Sequence, residues 1–174
     1  MHSIEGSKPK ITFRKPARED GSAIWDLISS CHPLDENSMY CNLIQCDHFR
    51  DTCILAEIDG ETVGWISAYV LPDDEETLFV WQVAVSEKAR GRGLGSKMLK
   101  ELAKREECEG VRRLQTTITI DNDASWALFG RFSKAIGGKL KSQPYFKRDD
   151  HFDGRHATEH MVTIEFAEVL RRAA

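Results

Sequence analysis

The spacing of apolar positions changes period several times along the chain. Residues 10–15 (KITFRK) alternate apolar and polar, as a half-buried strand does, and Pro16 ends the run. From Asp20 the period lengthens to that of a helix, with Ala23, Ile24, Leu27 and Ile28 on one face. A loop is expected from Pro33; it carries LDENSMY, rich in functional groups for a connector. Residues 52–58 and 62–71 read as two strands, and Asp59-Gly60 between them suits a tight hairpin with positive φ. PDDEE at 72–76 predicts a solvated turn, and 77–85 (TLFVWQVAV) a central strand buried on both faces.

The segment SEKARGRGLGS follows, then a helix with Leu94, Met98, Leu99 and Leu102 in register. Residues 111–120 are β-branched enough for a strand. Residues 122–136 predict a helix whose buried stripe is Ala124, Leu128, Phe132, Ala135 and Ile136. Asn122 is its expected cap, and Gly137 or Gly138 its end. A polar segment, 139–157, leads to a last strand at 159–166. The pattern is that of one α/β (α+β) domain over 1–174, its core about 11–166, built on a central sheet.

Composition narrows the class. A chain of 174 residues with 41% hydrophobic and 30% charged residues is expected to be a globular domain with one core. A net charge of −4 argues against a nucleic-acid surface and suits a cationic substrate. No apolar leader opens the chain and no stretch is long enough for a membrane span, so a cytoplasmic protein is expected. The five cysteines lack CxxC spacing, which fits reduced thiols. Cys41, Cys46, His48 and Cys53 do not form the tight ligand pairs of structural zinc, and no metal is expected.

The strongest chemical signal is Arg90-Gly91-Arg92-Gly93-Leu94-Gly95, set between a buried strand and an amphipathic helix. Glycines let backbone N–H groups crowd an anion, the helix start adds its dipole, and two arginines add charge-assisted bonds. The glycine spacing fails the GxGxxG dinucleotide pattern, and Gly95-Ser96-Lys97 is not a P-loop. A basic turn without a ligand is the remaining plain alternative.

Arg90, Gly93 and Gly95 resemble the [Q/R]-x-x-G-x-[G/A] acetyl-CoA motif of the GNAT acetyltransferases. Asn122-Asp123-Ala124-Ser125-Trp126-Ala127-Leu128-Phe129 is similar to the opening of that family's next helix. The resemblance implies a GNAT fold: a single mixed, mostly antiparallel sheet flanked by helices and splayed between its fourth and fifth strands. It implies a bulge in the strand before the loop, with the N–H groups of Val83 and Val85 facing the thioester. Acetyl-CoA would then lie against Val83, Ala84, Val85, the segment Arg90, Gly91, Arg92, Gly93, Leu94, Gly95 and Ser96, and Asn122 and Ser125.

LDENSMYCNL, Phe49-x-x-Thr52-Cys53 and LFVWQVAV further resemble the diaminobutyrate acetyltransferases of ectoine biosynthesis. This implies acetylation of L-2,4-diaminobutyrate at N4, and a homodimer. Asp35 and Glu36 would hold an ammonium group, though the pair suits a helix cap equally well. Trp81 would wall the slot or offer its face to a cation, with plain core packing as its alternative. Gln82 and Thr117 complete the expected substrate contacts.

An amine of pKa ~10 needs a base, for which Tyr40, His156 and Glu159 are candidates. Phe129 stands where many GNAT enzymes carry a tyrosine acid, which leaves the acid open. No cysteine has the context of an acyl carrier, so direct attack is expected. Two other readings remain: a GNAT enzyme for a polyamine, aminoglycoside or protein N-terminus, and a non-catalytic acetyl-CoA sensor.

Overall fold

In a computed structural model, which describes residues 9–167, Asp59 and Gly60 form the expected turn with φ of 51° and 82°. They join β2 (Ile54–Ile58) to β3 (Glu61–Leu71), and β1 (Ile11–Arg14) pairs antiparallel to the outer side of β2. β4 (Asp74–Val85) returns beside β3, β5 (Arg113–Thr119) runs parallel to β4, and β7 (Glu159–Glu165) and β6 (Lys139–Phe146) follow. The sheet order is β1-β2-β3-β4-β5-β7-β6, with β4–β5 the parallel pair in an otherwise antiparallel sheet.

Helices cover both faces. α1 (Gly21–Ser30) and α2 (Met39–His48) lie on one, where Ile24, Leu27 and Ile28 meet Leu55, Trp65 and Ala84. α3 (Leu94–Ala103) and α4 (Asp123–Ala135) lie on the other, packing Met98, Leu99, Phe129 and Phe132 against Val80, Leu114 and Val162. Each such side chain, fully buried, contributes about 1.5–3 kcal/mol of transfer free energy. The Arg14 guanidinium forks onto both Asp20 oxygens and reaches Glu57, each at 2.7 Å, pinning the start of α1 to the sheet edge.

Several expectations are corrected. The loop from Pro33 ends in α2, whose inward residues Asn42, Gln45 and Cys46 are mostly polar and so show no apolar period. The turn at 72–76 shrinks to Pro72 and Asp73, because Asp74 starts β4 by accepting from Glu76 N, Thr77 and Arg113. Ala23, Ala124 and Ala135 face solvent; the stripe of α4 keeps Leu128, Phe132 and Ile136 and adds Phe129 and Ser133. The segment 139–157 holds β6 and the one-turn α5 (Arg148–His151).

Two irregularities in β4 shape the centre of the sheet. Ser67 pairs with Gln82 and Ala68 with Val80, so Trp81 is an extra residue. This bulge reverses the alternation: Leu78 and Val80 face the α3–α4 core before it, and Val83 and Val85 face that core after it. Pairing with β5 covers only Thr77–Phe79 against Arg113–Gln115, and the strands then part. This is the splay that the GNAT resemblance implies.

Candidate active site

The gap between β4 and β5 is lined by main-chain groups whose direction follows from the pairing. Ser86 N–H donates to Val63 C=O at 2.8 Å, so by two-residue alternation Ala84 and Gln82 also turn toward β3. Val83 and Val85 then aim their N–H groups the other way, into the gap. Where the strands part, Thr116 Oγ1 donates to Val80 C=O at 2.9 Å. This buried side chain replaces the main-chain pairing that stops there, and the sequence reading missed it. Thr116→Val is expected to leave a buried carbonyl without a partner and cost about 1–3 kcal/mol of stability. Urea unfolding checks this, and Thr116→Ser should restore the wild-type value.

Beyond the gap, Gly91 and Gly93 adopt φ of 75° and 68°, which side-chain-bearing residues rarely tolerate. Gly93 is the N-cap of α3 and has no side chain to bond the helix start. Lys97 N–H reaches Gly93 C=O, so Leu94, Gly95 and Ser96 hold the free donors of the first turn. These donors, the dipole and exposed Arg92 form an anion cradle. Arg90 Nε donates to Val85 C=O at 3.1 Å, which ties the loop to the end of β4. Gly95 has a second reason to be glycine: a Cβ there would stand 2.9 Å from Leu128 Cδ1 of α4. Asn122 caps α4 through a bond from Ser125 N–H at 3.1 Å, and Phe129 is buried core.

On the α1–α2 face a cavity of about 350 Å³ spans the gap. Tyr69, Phe79, Trp81, Tyr145 and Phe146 line it, with Leu71, Gln115, Thr117 and Met161. Trp81 is 46% exposed, so its core-packing alternative fails, and Tyr69 meets it edge-on with ring centroids 6.5 Å apart. The sequence reading found Trp81 and Thr117 but not Tyr69, Phe79, Tyr145 or Phe146. The first two look like ordinary strand core, and the last two lie in the segment read as a connector.

Asp35, His156 and Glu159 come together although more than 100 residues separate the first from the others. His156 Nε2 stands 3.9 Å from Asp35 Oδ2 and 3.9 Å from Glu159 Oε1. His156 Nδ1 is 2.7 Å from Ala157 C=O, which can only accept, so Nδ1 donates and Nε2 is the nitrogen turned to the two carboxylates. Burial pushes the Glu159 carboxyl above its usual range, against the opposing pull of His156 and the nearby Thr117 hydroxyl. Its Oε2 is buried without a hydrogen-bond partner among the described residues.

The acidic loop is strapped at two points. Gln82 Nε2 donates to Asp35 C=O at 2.8 Å, and Trp25 Nε1 to Asn37 C=O at 3.1 Å. Ser38 Oγ caps α2 by accepting from Cys41 N–H, which removes the capping alternative for Asp35 and Glu36. Both acids expose their side chains, and Glu36 makes no side-chain hydrogen bond or ion pair among the described residues. Tyr40, in the first turn of α2, is 72% exposed and is not part of the Asp35–His156–Glu159 cluster. Burial drives the Cys46 and Cys53 thiols up to about 12 and Cys108 to about 11, so they are poor nucleophiles at neutral pH.

Residues 22–133 match the model of the acetyltransferase (GNAT) family. The L-2,4-diaminobutyric acid acetyltransferase of Methylotuvimicrobium alcaliphilum is 47% identical over 90% of this chain and 91% of its own. That of Vibrio parahaemolyticus is 46% identical over 92% and 88%. The diaminobutyrate acetyltransferase EctA from Paenibacillus lautus, solved with L-2,4-diaminobutyric acid and coenzyme A, superposes with a TM-score of 0.86 at 36% identity. The match covers 91% of this chain and 96% of that one. The chain belongs to the GNAT acetyltransferases and, within them, to the L-2,4-diaminobutyric acid acetyltransferases.

Proposed function

We infer that the protein transfers acetyl from acetyl-CoA to the 4-amino group of L-2,4-diaminobutyrate, the acetylation step of ectoine biosynthesis. The observation that carries this is the joining of two half-sites. An anion cradle follows the end of β4 beside the open strand gap, and an aromatic cavity and acidic cluster meet that gap from the α1–α2 face. The Paenibacillus lautus enzyme, of the same fold, is solved with L-2,4-diaminobutyric acid and coenzyme A.

Acetyl-CoA would place its pyrophosphate on the first turn of α3, its pantetheine in the β4–β5 gap and its thioester carbonyl toward the N–H groups of Val83 and Val85. Those donors stabilise the oxyanion that forms on attack. Glu159 removes a proton from the 4-ammonium and passes it to solvent. The freed amine attacks the thioester carbon, a C–N bond forms, the C–S bond breaks, and the thiolate takes up the second amine proton. A thiolate of pKa ~8.5 leaves readily enough that no tyrosine need stand at Phe129. Asp35 and the Trp81 face hold the α-ammonium, and Gln82 sets the height of Asp35 through its carbonyl. His156 stands between Asp35 and Glu159, and Glu36 and Tyr40, on the same loop and the first turn of α2, are further candidate contacts to the substrate.

Asp35→Asn tests this assignment. It is expected to raise KM for diaminobutyrate by tenfold or more and leave acetyl-CoA affinity within twofold, since the cap on Ser38 is untouched. Unchanged amine kinetics would remove Asp35 from the site. One domain acting in the cytoplasm and pairing as a homodimer completes the reading. The edge strand β6, exposed along its whole length with Leu140, Tyr145 and Phe146, suits such pairing. Sedimentation at a monomer mass would contradict it.

A further inference from the structure

The groups that surround the proposed amine site share one chemical character. Asp35 Oδ2 and Glu159 Oε1 are carboxylate acceptors around a common space, each 3.9 Å from His156 Nε2. Tyr69 and Trp81, in the cavity that Thr117 shares with them, offer aromatic faces, which attract cations, and Gln82 next to Trp81 holds the Asp35 carbonyl. No lysine or arginine is among the residues that line the cavity. Arg113, on the same strand as Gln115, is already held by Asp74, Glu76 and Glu165. A carboxylate placed here would meet the carboxylates of Asp35 and Glu159, and the one basic side chain of the cluster, His156, already stands between them.

We propose that the site recognises a short diamine through its two nitrogens and not through the α-carboxylate, so that the enzyme also acetylates simple 1,3-diamines. This rests on the function proposed above and extends it to a second substrate class. 1,3-Diaminopropane is diaminobutyrate without its carboxylate: the spacing of the nitrogens is unchanged. One ammonium sits among the acceptors, and the other amine loses its proton to Glu159 and attacks the thioester. The C–N bond forms as the C–S bond breaks, CoA leaves as the thiol and N-acetyl-1,3-diaminopropane is the product. On this reading the carboxylate of diaminobutyrate would lie outside the acidic cluster.

The test compares three amines with the full-length enzyme, following CoA release and identifying products by NMR. Diaminobutyrate reports on the parent reading. 1,3-Diaminopropane is expected to give kcat/KM within tenfold of it, and 4-aminobutyrate, which keeps the carboxylate and loses the α-ammonium, to fall at least a hundredfold. A loss beyond tenfold with 1,3-diaminopropane, while diaminobutyrate is acetylated normally, overturns this inference and leaves the parent reading standing. A loss of less than a hundredfold with 4-aminobutyrate also overturns it, because the α-ammonium would then not be the group recognised. Failure of diaminobutyrate itself would overturn both.

Discussion

Glu159→Gln is expected to lower kcat by about 100- to 10,000-fold, the range general-base catalysis contributes. The carboxylate lies on β7 beside Thr117 and His156, with burial raising its pKa above the usual 4.5. As a base it must be ionised, so the acid limb of wild-type kcat/KM should fall at a higher pH than a free glutamate would give. That limb should vanish in Glu159→Gln. The stability sign runs the other way from the common carboxylate case. The folded-state pKa lies above the unfolded one, so folding is favoured below the unfolded value and loses that contribution as pH rises through the folded value. At neutral pH the glutamine variant should therefore melt no lower than wild type. Calorimetry beside the pH–rate profile separates a lost base from a lost fold.

Gly93→Asp is expected to abolish acetyl-CoA binding. The residue has φ of 68° and opens α3, so any side chain strains the turn and a carboxylate puts negative charge at the donors meant for pyrophosphate. Nothing crowds its Cβ position, so the variant should still fold. Gly95→Asp is a poorer probe, because contact with Leu128 would disturb α3–α4 packing as well. Titration calorimetry of folded Gly93→Asp showing wild-type acetyl-CoA affinity would remove the cradle from the account.

The half of the site proposed for acetyl-CoA was legible as geometry because its signals are local. A positive-φ turn, a helix start and a buried strand lie within about twenty residues, and each leaves its mark in glycine spacing or apolar run. The amine half was legible only as single residues. Asp35, Trp81, His156 and Glu159 stood out one by one, but what joins them is register: β7 against β5, the Gln82 strap and the bulge at Trp81. α2 escaped because its buried face carries Asn42 and Gln45, and β6 because all eight of its residues are exposed. Thr116 gave no signal at all. A threonine in a β-branched strand looks like propensity until the neighbouring strand is seen to leave.

Regiochemistry tests the central claim most directly. Of the two diaminobutyrate amines, the α-amine is the less basic, judging by reference values of about 7.7–8.0 against about 10.4. It is therefore more often unprotonated at neutral pH, and unassisted acetylation would favour N2. Each tenfold of preference for the distal amine requires about 1.4 kcal/mol of positioning by the site. NMR of the product from L-2,4-diaminobutyrate and acetyl-CoA is expected to show N4-acetyl-diaminobutyrate almost alone. A product that is mostly N2-acetylated would contradict the account.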